Sequence, residues 1–217
     1  MFKVISYYSE NYQPLVDKTW HQNKVPYCQR HNYLYENYLE KWSSMRECQN
    51  IKIDILKKNL ESLTSNDWLW WTGADLMVTN WTIKLEDIVD TNYHFIVASD
   101  FNGINADSFL IRGSDEGKSY LAMIANTLIN YENWEGEQGI MKDTYEQYKN
   151  TVVKLVPQKL MNSYNYAVYR GRYPEPLIDK LGTVGDWSIG DFVIQWPATD
   201  LNFRLRAFDY YSNLILK

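Results

Sequence analysis

The chain has 217 residues, enough to bury a core without disulfide or metal staples, and its 45% apolar and 23% charged content is that of a globular domain. A net charge of −5 with no Lys/Arg cluster argues against nucleic acid as a partner, but leaves room for a small nucleotide neutralised by a metal. No apolar run reaches the roughly 18 residues of a membrane span, and MFKVISYYSENYQP reads as a strand rather than a signal peptide, so a soluble cytoplasmic protein is expected.

In chain order, Phe2–Tyr8 is short, β-branched and aromatic, and predicts a first strand. Leu34, Tyr38, Trp42 and Met45 recur at helical spacing, and with Pro26 at a helix start they predict a helix from Pro26 to about Glu47. A second helix is expected over Ile51–Leu63, then a strand at Trp68-Leu-Trp-Trp71. Leu85–Val89 reads as a short helix, Tyr93–Ala98 and Ser108–Arg112 as strands, and Ser114–Tyr131 as a helix with Asp115 and Glu116 at its positive end. Gly136–Lys149 reads as a turn and helix, Val152–Val156 and Asp191–Trp196 as strands stopped by prolines, Gly171–Gly190 as a loop near a site, and Leu201–Leu216 as a helix. Several strand runs are apolar without alternation, as in strands covered on both faces. The order indicates one α/β domain with a largely parallel sheet.

Cys28 and Cys48 form no CxxC pair and His21, His31 and His94 are scattered, so neither a zinc cluster nor a Ser-His-Asp arrangement is indicated. Gly113-Ser-Asp-Glu-Gly-Lys-Ser119 is one residue short of a phosphate loop and carries two acids, so it reads as a helix start. Asp75 follows a buried strand. Ligands of open α/β sheets bind beyond the strands' carboxyl ends, so this acid suits a hard divalent cation, or else a plain turn or cap. Asn105 and Asp107, in a segment joining two strands, suit sugar hydroxyls and turn chemistry equally. Glu137 and Gln138 read either as a polar pair facing a substrate or as a solvated helix start.

Taken in order, WLWW running into Gly73-Ala-Asp75, GINADSFLIR (Gly103 to Arg112), Glu137-Gln138, VPQKLMNSY (Val156 to Tyr164) and GDFVIQ (Gly190 to Gln195) resemble the GT-A-fold glycosyltransferases of the galactosyl/xylosyltransferase group, family 34. The corresponding patterns there are W-[IL]-W-W before D-x-D, G-[LI]-N-x-G-S-F-[LI]-[LI]-R, an E-Q or D-Q pair, V-P-Q-x-x-[ML]-N-S-Y and G-D-F-[VI]-[VI]-H. The resemblance runs from about Tyr33 to Ala198. It implies a single GT-A-like domain with a mostly parallel, mixed sheet of about six strands. It also implies a metal-dependent enzyme, using Mn2+ or Mg2+, that transfers a sugar from a UDP-sugar donor to a glycan or glycoprotein acceptor with retention. Soluble virus-encoded members fit this length better than Golgi ones, which implies a part in capsid-protein glycan synthesis.

By the same resemblance Asp75 and Gln195 hold the metal, and Gln138 sits near the anomeric carbon with Glu137 beside it. Asn105 and Asp107 contact the donor sugar, Ala74 lies against the donor, and Ser6, Tyr7 and Tyr8 line its base and ribose. Two departures stand out: Gly73 replaces the first acid of D-x-D, and Gln195 replaces a histidine. They motivate an alternative, a non-catalytic nucleotide-sugar- or carbohydrate-binding protein on the same fold.

Overall fold

The computed structural model describes residues 1–165 and 176–217. Its main sheet combines β1 (Phe2–Ser9), β2 (Leu34–Glu40), β3 (Trp68–Thr72), β5 (Phe95–Asp100), β6 (Gly103–Arg112) and β7 (Val153–Val156), in the order β2-β1-β3-β6-β5-β7. A smaller sheet joins β4 (Leu76–Val78), β9 (Val193–Gln195) and β8 (Ser163–Tyr164). β1 lies parallel to β2 and β3, and β5 to β7, whereas β6 runs antiparallel to both β3 and β5. The expected six-stranded mixed sheet is therefore present.

Every residue of β3 and β5 is buried, as their unbroken apolar runs require. Side chains alternate between two cores. Ile5, Leu69, Trp71, Phe95 and Phe109 meet α3 (Met45–Glu61), α4 (Asp115–Leu128) and α5 (Glu137–Tyr148) on one face. Val4, Trp70, Ile96 and Leu110 face the helical segment that follows β1, through Val16, Trp20 and Tyr27. That segment runs from α1 (Gln13–Leu15) through a π-helical stretch (Val16–Lys24) into α2 (Val25–His31). The short α6 (Gln158–Met161) and the C-terminal α7 (Leu201–Ser212) complete the helices named here. Three helices start on side-chain caps: Ser44, Ser114 and Asp200 accept from the backbone N–H of Glu47, Gly117 and Phe203. The Gly113–Ser119 segment is thus the start of α4.

Three expectations are corrected. The helix expected over Pro26–Glu47 ends at His31, where Asn32 takes a left-handed conformation (φ 57°). Leu34–Glu40 then pairs with β1, and α3 begins at Met45. Leu34, Tyr38, Trp42 and Met45 have helical spacing, but the exposed edge of β1 and a Tyr-containing run make Leu34–Glu40 a strand. Gly103–Asp107 is part of β6 rather than a connecting loop; Gly103 (φ 118°) follows the hairpin turn, and its lack of a Cβ permits that conformation. Glu137 is buried at the start of α5 rather than solvated. The loop expected over Gly171–Gly190 lies partly outside the described residues. From residue 176 onward it closes around Asp179, which accepts from the N–H groups of Gln158, Leu181 and Thr183.

α4 packs directly on the end of β6, because a Cβ on Gly117 would lie 2.2 Å from the Arg112 carbonyl oxygen. Gly117→Ala should therefore cost about 2 kcal/mol and lower the melting temperature by about 5 °C. Calorimetry against wild type measures this, and an unchanged melting temperature would refute such close packing.

Candidate active site

Beyond the carboxyl ends of β1 and β3, a cavity of about 540 Å³ opens between the sheet, α3, the start of α5 and α7. The chain turns here at Gly73–Asp75, and each of these three residues is tied down. The Gly73 N–H donates to the Asp107 carbonyl at 2.7 Å, one step past the last β3–β6 pair, Thr72 with Ser108. The Lys24 ammonium donates to the Gly73 carbonyl at 2.7 Å, the Thr19 hydroxyl to the Ala74 carbonyl at 2.9 Å, and the Trp196 N–H to the Asp75 carbonyl at 3.1 Å. Lys24 and Thr19 come from the π-helical stretch, whose Asn23 also donates to and accepts from the backbone of Val78. This wider helical turn thus sets polar side chains against residues 73–78, where backbone groups would otherwise be buried without partners.

Asp75 is 7% exposed. Its Oδ1 accepts from Gln195 Nε2 at 3.1 Å, and its Oδ2 pairs with Arg204 Nη2 at 2.9 Å. The same Gln195 Nε2 donates to Asp107 Oδ2 at 2.7 Å. The β4–β9 pairing, which sets Leu76 opposite Gln195, brings these groups together although they lie 120 positions apart. Burial pushes the Asp75 carboxyl above its ordinary range; Arg204 pulls it down, and the neighbouring Asp107 charge adds to the rise.

On the opposite wall, Lys52 Nζ donates to the Ala106 carbonyl at 2.7 Å and to Glu137 Oε1 at 2.9 Å. It lies 4.7 Å from the Trp71 ring centroid. Gln138 Oε1 accepts from the Ala106 N–H at 3.0 Å, and its amide nitrogen donates to Glu135 at 3.3 Å. Trp71 Nε1, Tyr7 OH, Glu137 Oε2 and Gln195 Oε1 are buried with no partner among the described residues. Trp134, 80% exposed, stands at the rim.

Tyr7, Tyr8, Ala74, Asp75, Asp107, Glu137 and Gln138, all singled out from the sequence, therefore line one cavity. Ser6 lies beneath it, fully buried, donating to the Thr72 carbonyl at 2.8 Å and accepting from Lys24 at 3.1 Å. Asn105 is also set back: it donates to Asp100 and Tyr164, and its Oδ1 accepts from the Asp107 N–H. Gln195 reaches the cavity through Asp75 and Asp107. Sequence reasoning passed over Lys24, Lys52 and Arg204, and a lone basic residue in a polar helix gives no signal of burial.

The fold and the cavity at its strand ends define a GT-A-type glycosyltransferase fold. A glycosyltransferase implicated in glycosylating the major capsid protein of PBCV-1 superposes with a TM-score of 0.70 at 11% identity, covering 96% of this chain and 98% of that one. The galactosyltransferase LgtC gives 0.52 at 12% identity, covering 99% and 96%. The model of the galactosyl transferase GMA12/MNN10 family matches residues 4–92 and 89–198, and the chain belongs to that family. An alpha-1,2-galactosyltransferase of Schizosaccharomyces pombe is 22% identical, covering 67% of this chain and 50% of its own length. The probable alpha-1,6-mannosyltransferase MNN10 of Saccharomyces cerevisiae is 24% identical, covering 66% and 46%. The chain thus spans about half the length of these relatives. Among the described residues, no helix is long and apolar enough to cross a membrane.

Burial lowers the Lys24 pKa to about 7, partly opposed by the Asp75 charge. Above pH 7 the unfolded chain keeps this proton and the folded chain releases it, so stability rises with pH, by at most about 1.4 kcal/mol per unit. Above about pH 8.5 the Cys28 thiol, pushed up to about 12 by burial, acts in the opposite sense. Between these limits, wild type should gain about 1–2 kcal/mol relative to Lys24→Met in urea unfolding with EDTA present. Parallel profiles would mean that Lys24 titrates normally.

Proposed function

We propose that this chain is a glycosyltransferase that moves a sugar from a UDP-sugar donor to a glycan acceptor, with a divalent cation, Mn2+ or Mg2+, and with retention at the anomeric carbon. The observation that carries the reading is the convergence of Asp75 and Asp107 on one Gln195 amide, at the carboxyl end of β3 and facing the cavity. Family membership supports the reaction class.

The residues fit a hard cation. Asp75 and Asp107 are the carboxylates that meet at this end of the cavity. That suits ions bound by one or two carboxylates plus phosphate and water. Gln195 Oε1 has no partner in its buried site, and half a turn of the amide presents this oxygen where the nitrogen now stands. Asp75 and Gln195 would then hold the ion, which supplies Lewis-acid stabilisation of the departing diphosphate.

The chain's own groups do the rest. Arg204 lines the cavity beside Asp75, where its positive charge stabilises negative charge growing on the leaving phosphate. Glu137 keeps Oε1 on Lys52 and leaves Oε2 without a partner, so its carboxylate opposes positive charge at the anomeric carbon. Gln138 is tied at both ends of its amide, so it acts as a fixed dipole that orients the sugar. Tyr7 and Tyr8 give the donor base and ribose a flat, partly polar wall, and Trp134 at the rim offers a sugar face an aromatic surface.

The Arg204–Asp75 pair favours a second reading, a non-catalytic nucleotide-sugar-binding protein whose own cation neutralises the acid. The two readings part on metal dependence. Mn2+ should tighten UDP binding to wild type, and Asp75→Asn should weaken the Mn2+-dependent component by about tenfold or more. Calorimetric titration of UDP with and without Mn2+ decides this; equal affinity for wild type in both conditions favours the second reading. Sugar transfer from a panel of nucleotide sugars then names the donor.

A further inference from the structure

We infer that Asp107 supplies the second carboxylate of the cation- and diphosphate-binding site, filling from β6 the place that an acidic side chain at position 73 would occupy. The inference rests on the reading that this site takes a divalent cation with a nucleoside diphosphate.

Three observations carry it. The first is spatial. A Cβ built on Gly73 would lie 3.4 Å from the Asp107 Cβ and 3.3 Å from Asp75 Oδ1, so side chains at 73 and 107 project into the same space. Gly73 has none of the left-handed backbone geometry that demands glycine; a Cβ there would touch Asp107 at ordinary contact distance, so an acid at 73 would stand directly beside the Asp107 side chain. The Gly73 N–H bond to the Asp107 carbonyl, 2.7 Å, fixes the two backbones at this separation.

The second is convergence. Gln195 Nε2 stands 3.1 Å from Asp75 Oδ1 and 2.7 Å from Asp107 Oδ2, so both carboxylates already point at one small donor.

The third is charge. Arg204 balances Asp75, whereas Asp107 has no ion-pair partner within 4.0 Å among the described residues. Among the described residues its negative charge is therefore the less compensated of the two. The sequence is consistent with a relocation: this chain has glycine where the D-x-D pattern has its first acid, and Asp107 where the G-[LI]-N-x-G-S pattern has glycine.

The test is a Mn2+ titration followed by loss of the free-ion electron paramagnetic resonance signal, with UDP present, which needs no turnover. Wild type, Asp107→Gly, Asp107→Asn and the double variant Gly73→Asp/Asp107→Gly are compared, with circular dichroism melts to establish that each is folded. Both single variants should bind Mn2+ at least about tenfold more weakly than wild type, and the double variant should recover most of that loss. Single variants that bind as tightly as wild type would overturn the role of Asp107. A double variant no better than Asp107→Gly would overturn the shared position. If wild type itself binds no Mn2+ with UDP, the cation reading fails and this inference fails with it.

Discussion

The peptide unit of Gly73 is held from both ends, and the site depends on that constraint. Its N–H extends the β3–β6 ladder to the Asp107 carbonyl, and its carbonyl takes the ammonium of Lys24. Neither contact uses a side chain at position 73, so the chain passes close to β6 while it turns from β3 into β4. Because β3 is buried along its whole length, the turn has no freedom to tilt, and Asp75 is delivered to a fixed point at the sheet's end. From there β4 pairs with β9 and brings in Gln195. The two sheets are thus joined through three residues, and the cavity lies at the joint.

The charges around that joint argue for function rather than stability. Lys24 is fully buried, and Lys52, Glu137 and Asp75 are nearly so. Removing such groups from water costs several kcal/mol each, and their mutual attraction only partly offsets this, so well-packed apolar residues would stabilise the fold at least as well. What the charges provide is a preorganised field. Arg204 sits against Asp75 on one wall and Lys52 against Glu137 on another, leaving positive and negative poles at different places in one cavity. The proposed transfer, which separates an anionic diphosphate from a cationic sugar carbon, would be helped by such an arrangement, because no dipoles need reorganise as charge develops.

Much of the frame was legible in the sequence. The apolar runs at Trp68–Trp71 and Phe95–Ala98 identify doubly covered strands, and the Ser114 cap marks the start of α4 by local chemistry alone. β2 was not legible. Leu34, Tyr38, Trp42 and Met45 carry helical spacing, yet Leu34–Glu40 becomes a strand because β1 offers it an unpaired edge, a tertiary fact with no local trace. The site divides in the same way. Asp75, an acid past a buried strand, and the Glu137-Gln138 pair at a helix start were candidates from their own positions and line the cavity, whereas Gln195 was singled out only through the resemblance. The placement of Asp107 beside Gly73 depends on β6 starting at Gly103, five residues earlier than the strand read from its apolar run at Ser108. Lys24 was hidden because the energetics of a buried lysine depend on the carbonyl and hydroxyls it meets, which lie 16 to 49 positions away.

The amide of Gln195 bears on how such a site responds to its ligands. With its nitrogen donating to both carboxylates, it satisfies two acids without a cation, a part that a carboxylate at the same position could not play. Presenting its oxygen to an ion means giving up both hydrogen bonds. On the proposed reading, a cation arriving alone would have to offset that loss with one neutral ligand, an Asp75 already balanced by Arg204, and Asp107. A diphosphate arriving with the cation would offer anionic oxygens to it and a second partner to Arg204. On that reading the arrangement would favour joint binding of ion and diphosphate over binding of the ion by itself. On the proposed reading, each would by linkage tighten the other by the same factor, so a cation would be held while the diphosphate is present and loosened once it leaves.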